Sequence, residues 1–164
     1  MLFSERLTEA LDLALAQVPG EPWKKALSDL SDVAKALDAL ITAKTQGKFG
    51  TALLAFKQTY QTNPQELKYY HLALVGDNRL KVIEIFDSLA VLGSGCYPVY
   101  ILQPDSAGNY QPVMGLGDRD GLEAKFLSHV KSPLAGLVRF LHDHAASEKN
   151  ENADSRLAET TPLA

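Results

Sequence analysis

The stretch from Lys68 to Leu116 constrains this chain more than any other. It carries extended runs rich in Tyr, Val, Ile and Leu, at 68–75, 80–86, 97–103 and 110–116. Between the runs stand turn-forming residues: Gly76-Asp77-Asn78, then Pro104-Asp105-Ser106-Ala107-Gly108-Asn109. A further apolar run, Leu89 to Leu92, closes on Gly93-Ser94-Gly95. Every connection is about 12 residues or shorter, whereas a parallel crossover takes a dozen or more and normally a helix. The runs therefore predict an antiparallel meander of roughly four strands. The first two form a hairpin around Gly76-Asp77-Asn78.

Helical periodicity flanks the meander. Leu7, Leu11 and Leu15, with Ala10 and Ala14 beside them, make one stripe over Ser4 to Val18, with Glu5, Glu9 and Asp12 in the same segment. Pro19-Gly20 ends it. Pro22 suits the first turn of a second helix, where its missing N–H would have no partner. From Trp23 to about Lys44 the apolar residues Leu27, Leu30, Val33, Leu37, Leu40 and Ile41 keep a three/four rhythm, and Lys25, Asp29, Asp32, Lys35 and Asp38 take other faces. Phe49, Ala52, Leu53, Phe56 and Tyr60 also fit helical spacing, so the reading there is helix, although the same segment alternates as a strand would.

Two helices are expected after the meander. Asp120 and Glu123 form a capping-box pair ahead of one. Ser132-Pro133 opens the other and leads Leu134, Leu137, Val138 and Leu141 into the core. The order of helices, meander and helices is an α+β pattern, with the C-terminal helices packed on the sheet. At 164 residues the chain supports one core. The reading is a single domain over 3–144 and a flexible tail over 145–164, polar in composition and able to hold a docking segment.

The strands alternate without leaving a polar face. Leu80, Val82 and Phe86 oppose Ile83 and Ile85, and Val99 and Ile101 oppose Tyr100 and Leu102. An antiparallel sheet with one wet face shows polar residues there. Helices covering both faces are therefore expected, with a protein partner on one face as the alternative.

Composition narrows the function classes. Sixteen basic residues against twenty acidic ones give a net charge of −4. This opposes nucleic-acid binding, whose affinity comes largely from Lys and Arg on phosphates; Lys44, Lys48, Lys57 and Lys68 are too scattered to build a basic face. A single cysteine permits no internal disulfide and fits a reducing compartment, so the cytoplasm is the default. No window approaches the roughly 20 apolar residues of a membrane span.

Three motifs invite chemistry. Gly115-Leu116-Gly117-Asp118-Arg119-Asp120-Gly121 lies between strand and helix as phosphate loops do, but Asp118 and Asp120 would stand where phosphate must sit, and the spacing matches neither a dinucleotide nor a Walker loop. The same acids lack the ligand series of a calcium loop. Cys96 follows a flexible Gly-Ser-Gly, yet a cysteine nucleophile needs a nearby base, with His71 the one candidate. His142 and His144 stand two residues apart on a helix, roughly 200° around the axis, and cannot share one ion; they read as a solvated helix end.

No cofactor, metal site or catalytic set emerges. The expectation is a non-enzymatic protein-binding module (adaptor, chaperone or inhibitor) in the cytosol, with another protein as partner and a homodimer through a sheet face as one form. Tyr69, Tyr97, Tyr100 and Tyr110 are its candidate contact residues, since tyrosine combines area with a polar tip. The alternative is a small-molecule-binding protein or small enzyme with a pocket near His71, Cys96, Asp118 and Asp120 in the Gly115–Gly121 region.

Overall fold

The computed structural model describes residues 2–17, 21–58, 67–93 and 95–145. Helices α1 (Phe3–Gln17) and α2 (Pro22–Lys44) precede strands β1 (Phe49–Phe56), β2 (Leu67–Gly76), β3 (Lys81–Leu92), β4 (Val99–Pro104) and β5 (Tyr110–Gly115). Helix α3 (Arg119–Lys131) and a helix over 136–145, here α4, follow. The strands form one antiparallel sheet in chain order. The α+β meander is as expected, with five strands in place of four. The expected tail lies, from residue 146 on, outside the described residues.

The fifth strand is β1, where helical spacing misled. Its cause lies just upstream. Helix α2 ends at Thr45, and Gln46 and Gly47 both take left-handed backbone angles, φ 51° and 80°. The Gly47 N–H donates to the Thr42 carbonyl at 2.9 Å, closing a Schellman-type stop. The buried Thr45 hydroxyl then joins helix to strand: it donates to Ile41 O at 2.8 Å and accepts from Phe49 N–H at 3.0 Å. With its direction reversed there, 49–56 pairs residue for residue with β2, from Phe49↔Gly76 to Phe56↔Tyr69.

Cross-strand partners share a face, so the register assigns the two sides of the sheet. Leu72, Leu74, Leu89, Val91, Val99 and Ile101 point to the helices. They form one buried cluster with Ala26, Leu30, Val33, Leu37 and Ile41 of α2, Leu122 and Phe126 of α3, and Leu137 of α4. Ala73, Val75, Ser88, Ala90 and Leu102 point the other way and are also buried, outside that cluster. The expectation of helices over both faces is corrected here. None of the α1 side chains described is buried, so that helix covers nothing. Curvature shields part of the second face instead. The Gln58 side chain, just past β1, donates to Tyr110 O at 3.1 Å and accepts from Tyr110 N–H at 2.8 Å. Four strand spacings would separate β1 from β5 by roughly 19 Å in a flat sheet, so this contact requires a strong curl. Register shifts in β2–β3 and β4–β5 mark irregularities of the kind that bend strands.

Several side chains sit differently from their expected places. Leu80 belongs to the hairpin turn, not to a strand face. Asp29, expected on a solvated side of α2, is buried. After Ser132 the chain makes one turn before α4 begins at residue 136, which leaves Leu134 81% exposed while Leu137 is buried. His144 is not part of a solvated end: its ring packs edge-on against Phe49 at 4.7 Å.

The outer edge of β1 is closed by two charged side chains. Asp38 Oδ1 accepts from Thr51 N–H at 2.9 Å, and Asp38 Oδ2 pairs with the Arg79 guanidinium. Arg79 Nη1 also approaches Thr51 O at 3.4 Å. Asp77, Asn78 and Arg79 all have positive φ, and for arginine that backbone is uncommon. From that turn its guanidinium reaches Asp38 of α2.

Leu72→Ala is expected to cost about 2–5 kcal/mol in urea unfolding, the range for a fully buried leucine. Leu134→Ala should stay within about 0.5 kcal/mol.

Candidate functional site

Curling brings three of the expected site residues together. Phe56, Tyr69, His71 and Tyr110 converge from β1, β2 and β5. The Phe56 and His71 rings stack at 4.0 Å, and Tyr110 meets them at 5.2 and 5.0 Å. Tyr69 lies 5.5 Å from Phe56. His71 Nδ1 shares a 2.8 Å hydrogen bond with Ser88 Oγ, on the neighbouring strand. Burial among these rings lowers the His71 pKa below its ordinary value, so the imidazole is neutral near pH 7. The cluster fills the concavity with ring against ring.

Tyr97 lies on the helix side. Its hydroxyl donates to Asp29 Oδ2 at 2.9 Å, and Arg119 Nη1 reaches Asp29 Oδ1 at 3.2 Å. Burial, followed by the Asp29 hydrogen bond and charge, raises the Tyr97 pKa well above the ordinary range. The trio ties α2 to the loop before β4 and to the start of α3. Arg119 also faces Asp32 at 3.6 Å and Glu123 at 3.8 Å. Tyr100, on β4, is half-buried with its hydroxyl near Gly95.

The glycine-rich loop answers backbone demands. Asp118, not Asp120, caps α3, its Oδ1 accepting from Gly121 N–H at 2.8 Å; Asp120 stands in the first turn. That corrects the Asp120/Glu123 capping box. A Cβ at Gly121 would fall 1.9 Å from Leu116 O, and Gly117 has φ +76°. Cys96 is exposed in the loop before β4, and no hydrogen bond joins it to His71. Among the described residues no group of three or more His, Cys, Asp or Glu is placed to hold a metal ion. A second tether, missed in the sequence, joins β3 to α3: the part-buried Asp87 carboxylate lies 2.9 Å from His129 Nε2 and 3.7 Å from Lys125 Nζ.

The surface that stands out is α1. Phe3, Leu7 and Leu11, on its apolar stripe, are 67%, 55% and 59% exposed, and Leu15 is exposed beside them. A 15-residue helix lies at the length where isolated helices are marginal in water, because tertiary packing supplies most helical stability. Its polar side carries Glu5, Glu9 and Asp12 against the single Arg6. Helices that lie on membranes are typically rich in Lys and Arg on that side and are drawn to anionic lipid. Three carboxylates oppose this. No helix among the described residues is long and apolar enough to cross a membrane.

Protein-family models, curated proteins and solved structures give no match to this chain.

Two measurements test the assignments within the fold. Tyr97→Phe removes one hydrogen bond to a charged acceptor and should cost about 1.5–3 kcal/mol in urea unfolding. For His71 the sign follows from its lowered folded-state pKa. The unfolded chain binds the proton more readily, so this group's stabilisation is complete above about pH 6.5 and declines as pH falls from there. His71→Gln should flatten that part of the stability profile, measured as wild type minus variant across pH 5 to 7.5 (roughly the imidazole range).

Proposed function

We propose that this chain is a non-enzymatic protein-binding module of the adaptor, chaperone or inhibitor class, acting in a reducing compartment such as the cytosol, and that it engages its partner through α1. One observation carries the reading: an amphipathic helix whose whole apolar stripe stands in solvent beside a domain with its own core. Helices of this kind act by laying the i, i+4, i+7 positions into an apolar groove, and Leu7, Leu11 and Ala14 have that spacing. Burying an exposed leucine is worth about 1.5–3 kcal/mol. Two or three such anchors supply specific affinity. The half-buried Tyr69, Tyr100 and Tyr110 offer a further contact surface on the curled face.

A photo-crosslinking group at position 11, introduced in cells of the native host, tests this. It should give discrete protein adducts, whereas the same group at the exposed Lys25 should not. Leu7→Glu should lower the adduct yield by about tenfold or more, given the value of one buried leucine. Equal adducts from both positions, or none at position 11, would contradict the proposal.

A further inference from the structure

We propose that the occupant of the helix-layer groove of this protein is α1 of a second copy, giving a two-fold dimer with exchanged N-terminal helices. This rests on the reading of α1 as a protein-binding helix and names its partner.

The groove consists of two depressions that share Leu40 and Val130. One, about 400 Å³, lies between α2 and α3 and begins at Asp32. The other, about 610 Å³, continues between the end of α2, α3 and α4 and reaches Gln46. Leu40 and Leu127, on its rim, are 43% and 47% exposed, high for leucines flanked by buried neighbours. From residue 32 to 46 the α2 axis and its cap advance about 21 Å, and a 15-residue helix is about 22 Å long. Groove and helix therefore match in length.

The polarity of the helix suits this seat. With Phe3, Leu7 and Leu11 turned into the groove, Glu5, Glu9 and Asp12 on the opposite side of α1 stay in solvent. No carboxylate lines the second depression, and at the first Asp32 and Glu123 both face Arg119.

Reach separates a second copy from the chain's own α1. Only residues 18–21 connect α1 to α2. In an ordinary helix hairpin with so short a connection, α1 runs back along α2 and Phe3 falls opposite residue 36 or so at about 1.5 Å per residue. That leaves the second depression unfilled. Within one chain α1 is indeed exposed, although a short tether holds its target at roughly millimolar effective concentration. A second copy has no such limit, and reciprocal exchange fills both grooves under closed two-fold symmetry.

The test uses the full chain with Cys96→Ser to remove the native thiol. One preparation carries L11C, the other L127C, and the two are mixed and oxidised, with light scattering run on the unmodified chain. The proposal expects a dimer mass and a disulfide between the two preparations. It also expects at least tenfold weaker dimerisation in both Leu7→Glu and Leu127→Glu, with Leu134→Glu unchanged. Circular dichroism and urea midpoints confirm that each variant is folded. A third preparation carries both cysteines, and a crosslink that forms only within that chain would overturn the proposal, as would a dimer that survives Leu7→Glu. A monomer overturns it too, and the in-cell adducts at position 11 then decide the wider reading: adducts to another protein keep it, and their absence removes both.

Discussion

Helix α2 is held by two carboxylates on opposite sides of its apolar stripe, and the rest of the molecule is arranged around that helix. Asp29 and Asp38 are nine residues apart, which at 100° per residue is half a turn out of phase. Leu30, Val33, Leu37 and Ile41 fall between them and enter the core. On one flank Asp29 collects Tyr97 and Arg119, fixing the loop before β4 and the start of α3. On the other, Asp38 binds the backbone of β1 and the Arg79 side chain from the β2–β3 hairpin. Hydrophobic burial supplies the driving force but is non-directional; the acids set the rotation of α2 about its axis.

That rotation has consequences at distance. With its stripe committed to the sheet, α2 turns Leu40 and Ala36 toward α3 and leaves the groove beside them open. The sheet, covered by helices on one side, uses its own curvature on the other, bringing Tyr110 onto Phe56 and His71. The fold thus covers one sheet face with helices and shields part of the other by curvature, while leaving α1 outside. An uncovered stripe and an unfilled groove of equal length on the same chain form the physical basis for the functional reading.

Much of this was legible in the sequence. The length of the connections required an antiparallel meander, and the Gly76-Asp77-Asn78 hairpin follows from turn chemistry. The α2 stripe is visible as periodicity, and Leu137 as a core position. What escaped depends on contacts distant in sequence. Phe49–Phe56 satisfies both periods, and the decision between them rests on pairing with β2. Asp118 and Asp120 both offer a capping carboxylate in sequence; in the fold the Gly121 N–H donates to Asp118. Asp29 looked like a surface acid because its partners come from 68 and 90 residues away. Of the candidate site residues, Tyr69, His71 and Tyr110 meet through a curl that alternation alone does not encode. The α1 stripe was plain, but a stripe does not say whose surface covers it.

Hydrogen exchange across a range of protein concentrations tests the central claim most directly. The amides of α2 should be protected at every concentration, since the core of one chain buries them. Those of α1 should exchange freely in dilute protein and gain protection as concentration rises. Protection of α1 that is already complete at the lowest concentration, or still absent at the highest, would contradict the account.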